Sequence, residues 1–333
     1  MRYLVTLFPM LCAIACGGPA PKPAVTQSVP IHDFRDRVVP VEPPVTRVVC
    51  LIESALSGIY MLGAGDRIVG IPADVYDGEV FPAYAALDGR VKRREIPAPG
   101  NWDFVNLEKV LSLEPDLVVI WSHQTEAIAG LERHGIPVYG VMLRCIQDVY
   151  REIGDFGRLF GVPDRAGRLI AHTRAGLDAL RQKVGDRPRP RVYFMWGQGL
   201  LHTAGAGSTA DGLITASGGV NVCSSPREHL VVNLEKLLEW DPEVIVMWRN
   251  RELDPGDILS DSRLQTLTAV KRGAVHEMPS VFFNDLWTLK FLFAARQTAG
   301  WFHPDAFTPP DIASERRRMC LTLYGSAGER LCE

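Results

Sequence analysis

Charge of one sign is what this chain has least of. Its 36 Lys and Arg nearly balance 39 Asp and Glu, giving a formal net charge of −3 over 333 residues. The basic residues are scattered, so nothing gives electrostatic purchase on nucleic acid, and none is expected as a partner. Beyond residue 20 no apolar run is long enough to span a bilayer. Catalytic signatures are missing too. There is no GxSxG, no HExxH and no GxGxxG between strand and helix, and Gly197-Gln198-Gly199 lacks its third glycine. An exported α/β enzyme would need one of these, so no catalytic residue is singled out and no built-in cofactor is expected. The absence of CxxC pairs argues against structural zinc. The absence of HxxxH argues against a bare divalent cation, which needs several converging ligands.

What is present begins at the N-terminus. Arg2 precedes an apolar run from Leu4 to Ala15, too short for a transmembrane helix, and Ala13-Ile14-Ala15 leads into Cys16. This is a signal-peptide pattern (residues 1–16) with a lipobox-like end, at which Cys16 becomes the acylated first residue of an exported protein held to a membrane. An ordinary secretory peptide with an incidental Cys is the plainer alternative. Pro19, Pro21 and Pro23 mark the start of a tether over residues 17–44. Beyond Cys12 and Cys16 five cysteines remain, an odd number that forbids complete pairing. Cys320 and Cys332 flank a short C-terminal segment and could staple it, while Cys50, Cys145 and Cys223 read as buried free thiols beside strand-like runs.

The chain also contains a duplication. Residues 106–121, NLEKVLSLEPDLVVIW, align with residues 233–248, NLEKLLEWDPEVIVMW. Each copy predicts an Asn-capped amphipathic helix, a proline stop and a wholly apolar strand, the pattern of a strand buried on both faces in a parallel sheet. Arg47 to Leu51 and Arg191 to Trp196 read as first strands, each followed by a helix, over 54–63 and 209–217. The fold class is therefore α/β, with two similar lobes on parallel sheets, an N-terminal lobe over 45–145 and a C-terminal lobe over 190–308. Between them (146–189) the uninterrupted periodicity of 164–184 predicts one helix of about 30 Å, stiff enough to span both lobes. Residues 286–302 and 309–323 read as closing helices on the second lobe, the latter opening a C-terminal helix and tail over 309–333.

The paired NLEK segments, the MWGQGLLHTAGAGS…LITASGGVNV stretch and the central helix resemble the class of periplasmic binding proteins that serve cobalamin, ferric-siderophore and haem importers. The likeness spans about residues 45–308. It implies two lobes joined by one rigid helix, and a metal chelate held in a shallow cleft and handed to an ABC permease and its ATPase. It also implies that Glu108 and Glu235, third in each NLEK segment, dock onto permease arginines. An acidic residue in a helix's first turn is equally a plain stabilising choice.

Ligands of open α/β sheets lie beyond the C-terminal ends of the strands. That rule, with the taste of large planar ligands for aromatic walls and of their carboxylates for arginine, selects Glu53, Tyr76, Trp102, His123, Trp196, His202, Arg227, Arg249 and Trp287 as candidate ligand-binding residues. Trp121 and Trp248 end apolar strands and suit core packing as well as contact. A histidine can ligate a metal directly, but no metal-ligand set stands out. Gly205 to Ser208 before a helix suits either an anion or a tight turn. A tetrahedral oxyanion such as molybdate, another metal complex, or a sensing role remain the alternatives. Cys16→Ser is expected to move the protein from the membrane fraction to the soluble one; unchanged retention would refute the lipid anchor.

Overall fold

A computed structural model describes residues 30–307 and 312–332; the expected leader, Cys16 and residues 17–29 of the tether lie outside them. From Ile31 onward the chain forms one compact unit. Its apolar runs become the centre strands of two sheets. The first contains β1 (Val48–Cys50), β2 (Ile68–Gly70), β3 (Leu117–Trp121) and β4 (Val138–Val141), all parallel in the order β2-β1-β3-β4. The second contains β5 (Arg191–Met195), β6 (His202–Thr203), β7 (Val220–Asn221), β8 (Leu230–Val231), β9 (Val244–Met247) and β10 (Val275–Glu277). Here β10, β9 and β5 are parallel, with β7 parallel beside β5.

The second sheet is mixed rather than purely parallel, because β6 and β8 join antiparallel. Only residues 196–201 separate β5 from β6, too few for a parallel crossover. Gly199, at φ 125°, lets the chain reverse there.

The duplicated segments fold alike in detail. Asn106 accepts from the Lys109 amide at 2.9 Å and Asn233 from that of Lys236 at 2.8 Å, capping the helices Leu107–Ser112 and Leu234–Trp240. Glu114 (φ 45°) and Asp241 (φ 38°) end them in left-handed conformations just before Pro115 and Pro242. The strands pair in one register, Val48 opposite Leu117 and Val192 opposite Val244.

The helix between the lobes spans Pro163–Val184, about 33 Å at 1.5 Å per residue. Ala166 and Leu169 belong to the first lobe's core, whereas Leu177, Leu180 and Val184 belong to the second's. Among the described residues no helix is long and apolar enough to cross a membrane.

Three further expectations are corrected. The last helix, Ile312–Tyr324, packs on the first lobe: Cys320, Leu323 and Tyr324 join its core, and Tyr324 Oη lies 2.7 Å from Ser57 Oγ. An apolar stripe records that a helix is covered, not which element covers it. Of the described cysteines, all free thiols, Cys50 and Cys223 are buried as expected but Cys145 is exposed, where it precedes the helix Ile146–Leu159. Finally, residues 31–44, expected as tether, are folded onto the first lobe. Ile31 and Val39 enter its core. Phe34 N–H donates to the Gly140 carbonyl at 3.0 Å, and Asp33 accepts from Gly140 N–H at 3.0 Å, covering the edge of β4.

Asp33 is 0% exposed and also accepts from the amides of Arg35 and Arg37 and from Arg35 Nε at 2.6 Å. Asp33→Ala strands these donors, the dearer outcome for a buried ion pair. It is expected to cost about 3 kcal/mol, read from the denaturant midpoint, and an unchanged midpoint would show the strap to be dispensable.

Candidate functional site

The C-terminal ends of both sheets open onto one cleft of about 820 Å³. Each lobe supplies equivalent parts. After β1 come Ile52, Glu53 and Ser54; after β5, in the matching places, come Trp196, Gly197 and Gln198. The copies starting at Asn106 and Asn233 lie 127 residues apart. That same spacing relates Trp121 to Trp248 at the ends of β3 and β9, and Trp102 to His229 on the loops before the repeated helices. All four line the cleft. The duplication that built the lobes also built a pseudo-symmetric site.

Aromatic rings dominate its walls. Trp196 stacks on Trp287 at 6.0 Å and 13°, and Trp248 meets both rings at under 6 Å. His229 lies 4.6 Å from Trp196, and His123 stacks on Trp121 at 6.2 Å. Trp102, 59% exposed, is held at the rim by an Asx turn: Asn101 Oδ1 accepts from the amides of Asp103 and Phe104, and Asn101 Nδ2 donates to Asp74 at 2.7 Å.

The floor is acidic. Glu53, Asp74, Glu228 and Asp285 line the cleft against a single guanidinium, Arg249. That guanidinium is already shared by Glu277 at 3.0 Å and Glu79 at 3.7 Å, and Glu79 also holds Arg251 at 3.0 Å. Glu79 belongs to the first lobe and the arginines to the second, so these pairs tie the lobes across the cleft mouth. Burial, then the charge of Asp285, pushes Glu53 up to about 7, although Tyr84 donates to it at 2.6 Å. Burial likewise raises Asp285, whose Oδ2 is 3.6 Å from Lys290 Nζ and has no closer partner. Lys290 is itself fully buried, donating to Ser57 at 3.1 Å with its ammonium 3.8 Å from the Phe282 ring. Behind them Glu152 is raised well above its usual range by burial.

Of the residues singled out from sequence, Glu53, Trp102, His123, Trp196, Arg249 and Trp287 line this cleft. Tyr76, His202 and Arg227 do not. Tyr76 donates to the Ile96 carbonyl at 2.8 Å with its ring under Arg94. His202 is paired within β6, and exposed Arg227 contributes only its carbonyl, to Gly205 N–H. The glycine loop is a turn whose helix amide, at Thr209, is taken by the protein's own Glu228 at 3.0 Å. Sequence reasoning passed over Asp74, Met142 and Val281. The cleft also takes in Trp121, Trp248 and His229, which the candidate set left out, although Trp102, the repeat partner of His229, was in it. No group of three or more His, Cys, Asp or Glu suited to a metal ion occurs among the described residues.

The family model of periplasmic binding proteins matches residues 48–282. The chain belongs to the periplasmic binding protein family. The vitamin B12-binding protein of Vibrio parahaemolyticus is 23% identical over 258 residues, covering 77% of this chain and 85% of that one. Among solved structures, the molybdate-bound MolA of Haemophilus influenzae superposes with a TM-score of 0.76 at 23% identity, covering 89% of this chain and 98% of its own. Helicobacter pylori CeuE with Ni(II) superposes at 0.77 with 19% identity, covering 91% and 98%. At such identities these likenesses speak for the fold of this periplasmic binding protein.

The acidic floor carries a pH dependence. Glu53 holds its proton in the folded state up to about pH 7 but in the unfolded chain only to its ordinary value near 4.5. The folded state therefore binds more protons between those limits, and stability falls as pH rises through that window. Glu53→Gln, which keeps the acceptor for Tyr84, is expected to gain about 1–3 kcal/mol over the native protein at pH 8 relative to pH 4. A pH-independent difference in melting temperature would refute the assignment.

Proposed function

We propose that the protein is the extracytoplasmic solute-binding component of an ABC importer and captures a metal chelate of the corrinoid, haem or ferric-siderophore kind. Cys16 anchors it to the membrane, and Glu108 and Glu235 dock its lobes onto the permease. The observation that carries the ligand class is the cleft lining: five tryptophans around about 820 Å³, with four carboxylates against one arginine that two glutamates already neutralise. That volume suits a drug-sized ligand, for which clefts of about 300–1,000 Å³ are usual. Aromatic faces suit a planar or ring-bearing chelate.

A tetrahedral oxyanion fits less well. It would leave most of the cleft filled with water and would find the one lining guanidinium already paired with Glu277 and Glu79. The names of its relatives, which include both vitamin B12 and molybdate, support the broader class of metal-containing solutes. Glu108 and Glu235 are exposed and make no ion pair among the described residues, as a docking pair requires.

Titration of tryptophan fluorescence with cyanocobalamin, haemin, ferric-siderophore preparations and molybdate tests the ligand class. Saturable quenching by at least one chelate and none by molybdate is expected. Trp102→Ala, which removes a rim aromatic and little core packing, should weaken the chelate about tenfold. Quenching by molybdate alone would favour the oxyanion.

A further inference from the structure

The six large apolar side chains most exposed among the described residues include Phe104, at 54%, and Val231, at 66%. These two occupy equivalent places in the duplication: Phe104 lies two residues before the Asn106 cap, and Val231 two residues before Asn233. No other pair among the six is related in this way. Each therefore stands four residues ahead of the glutamate proposed to dock, Phe104 before Glu108 and Val231 before Glu235.

Neither side chain is exposed because its backbone is loose. Phe104 N–H donates to Asn101 Oδ1 at 3.2 Å, and its carbonyl accepts from Asn101 N–H at 2.8 Å. Val231 pairs with His202 in the β8–β6 ladder, and the next residue donates to the Leu201 carbonyl at 2.9 Å. Neither lines the ligand cleft, so a bound solute would not cover them. An apolar side chain presented to water on a backbone that is already held is cheaper to bury, since no backbone ordering remains for the binding step.

We propose that Phe104 and Val231 are the apolar half of the face that docks onto the permease. The partner would present, at two symmetry-related places, an apolar socket beside a cation. This rests on the reading that Glu108 and Glu235 dock. The physical logic is that an exposed ion pair alone contributes little, whereas apolar contacts around it exclude water and strengthen it. The second lobe carries a shallow, open depression of about 370 Å³ lined by Val232, the neighbour of Val231 in sequence, and by Asn233, Glu235, Lys236 and Glu239. Phe104, the larger of the pair, carries more of the contact.

The test uses full-length protein bearing Cys16→Ser, so that no lipid anchor contributes, and inner-membrane vesicles from the native host. Sedimentation measures binding of this parent, of Glu108→Lys/Glu235→Lys and of Phe104→Ser/Val231→Ser, each checked for an unchanged melting temperature. Both double variants are expected to bind at least tenfold more weakly, with Phe104→Ser alone costing more than Val231→Ser alone. If the charge variant loses binding and the apolar variant binds like the parent, docking by the glutamates stands and the apolar pair is overturned. If neither variant changes binding, both readings fall. A photoreactive phenylalanine analogue at 104 and at 231 identifies the partner by mass spectrometry. Crosslinks to a permease subunit are expected; crosslinks only to lipid or to a second copy of this chain would overturn the proposal.

Discussion

A single helix with its two halves buried in two different hydrophobic cores sets the geometry of everything else here. Pro163–Val184 gives Ala166 and Leu169 to the first lobe and Leu177, Leu180 and Val184 to the second. Bending it would break backbone hydrogen bonds and unpack at least one core, so the lobes cannot separate as they could on extended hinges. The cleft between the sheet ends is consequently bounded by two lobes that one helix ties to each other.

The stretch from Val281 to Phe291 adds a second tie. Phe282 and Leu289 enter the first core, while Leu286 and Phe291 enter the second. Between them Asp285 reaches the cleft floor and Trp287 its aromatic wall. Lys290, with no exposed surface, is held by Asp285, Ser57 and the Phe282 ring. The acidic floor is thus part of the joint between the lobes as well as of the cleft lining. At the mouth, Glu79 bridges to Arg249 and Arg251 in exposed or half-exposed pairs, which are weaker.

Much of the site could be read through the duplication. Trp121 and Trp248, and Trp102 and His229, are equivalent by the spacing of the NLEK copies and meet at one cleft. Six of the nine residues chosen as strand-end candidates line it. Tyr76, His202 and Arg227 have the right chemistry at nearly the right places yet lie outside the lining, and the Tyr76 hydroxyl is taken by the Ile96 carbonyl. A strand end fixes where the backbone stops, but the side chain's direction depends on neighbours that are distant in sequence.

By itself the sequence determined the principal strands and helices of two α/β lobes, since apolar runs, Asn caps and proline stops are local signals that the duplication repeats. It also determined the helix that links the lobes, because uninterrupted 3.6-residue periodicity is a local property. Only the tertiary structure decided which surfaces those elements cover. It put the last helix on the first lobe, folded residues 31–44 along β4, and made the second sheet mixed through a six-residue connection. It alone gathered Glu53, Asp74, Glu228 and Asp285 from four separate segments onto one floor. The physical reason is the same in each case. Burial and charge proximity are properties of three-dimensional neighbourhoods, and residues more than two hundred positions apart announce their meeting by no local pattern.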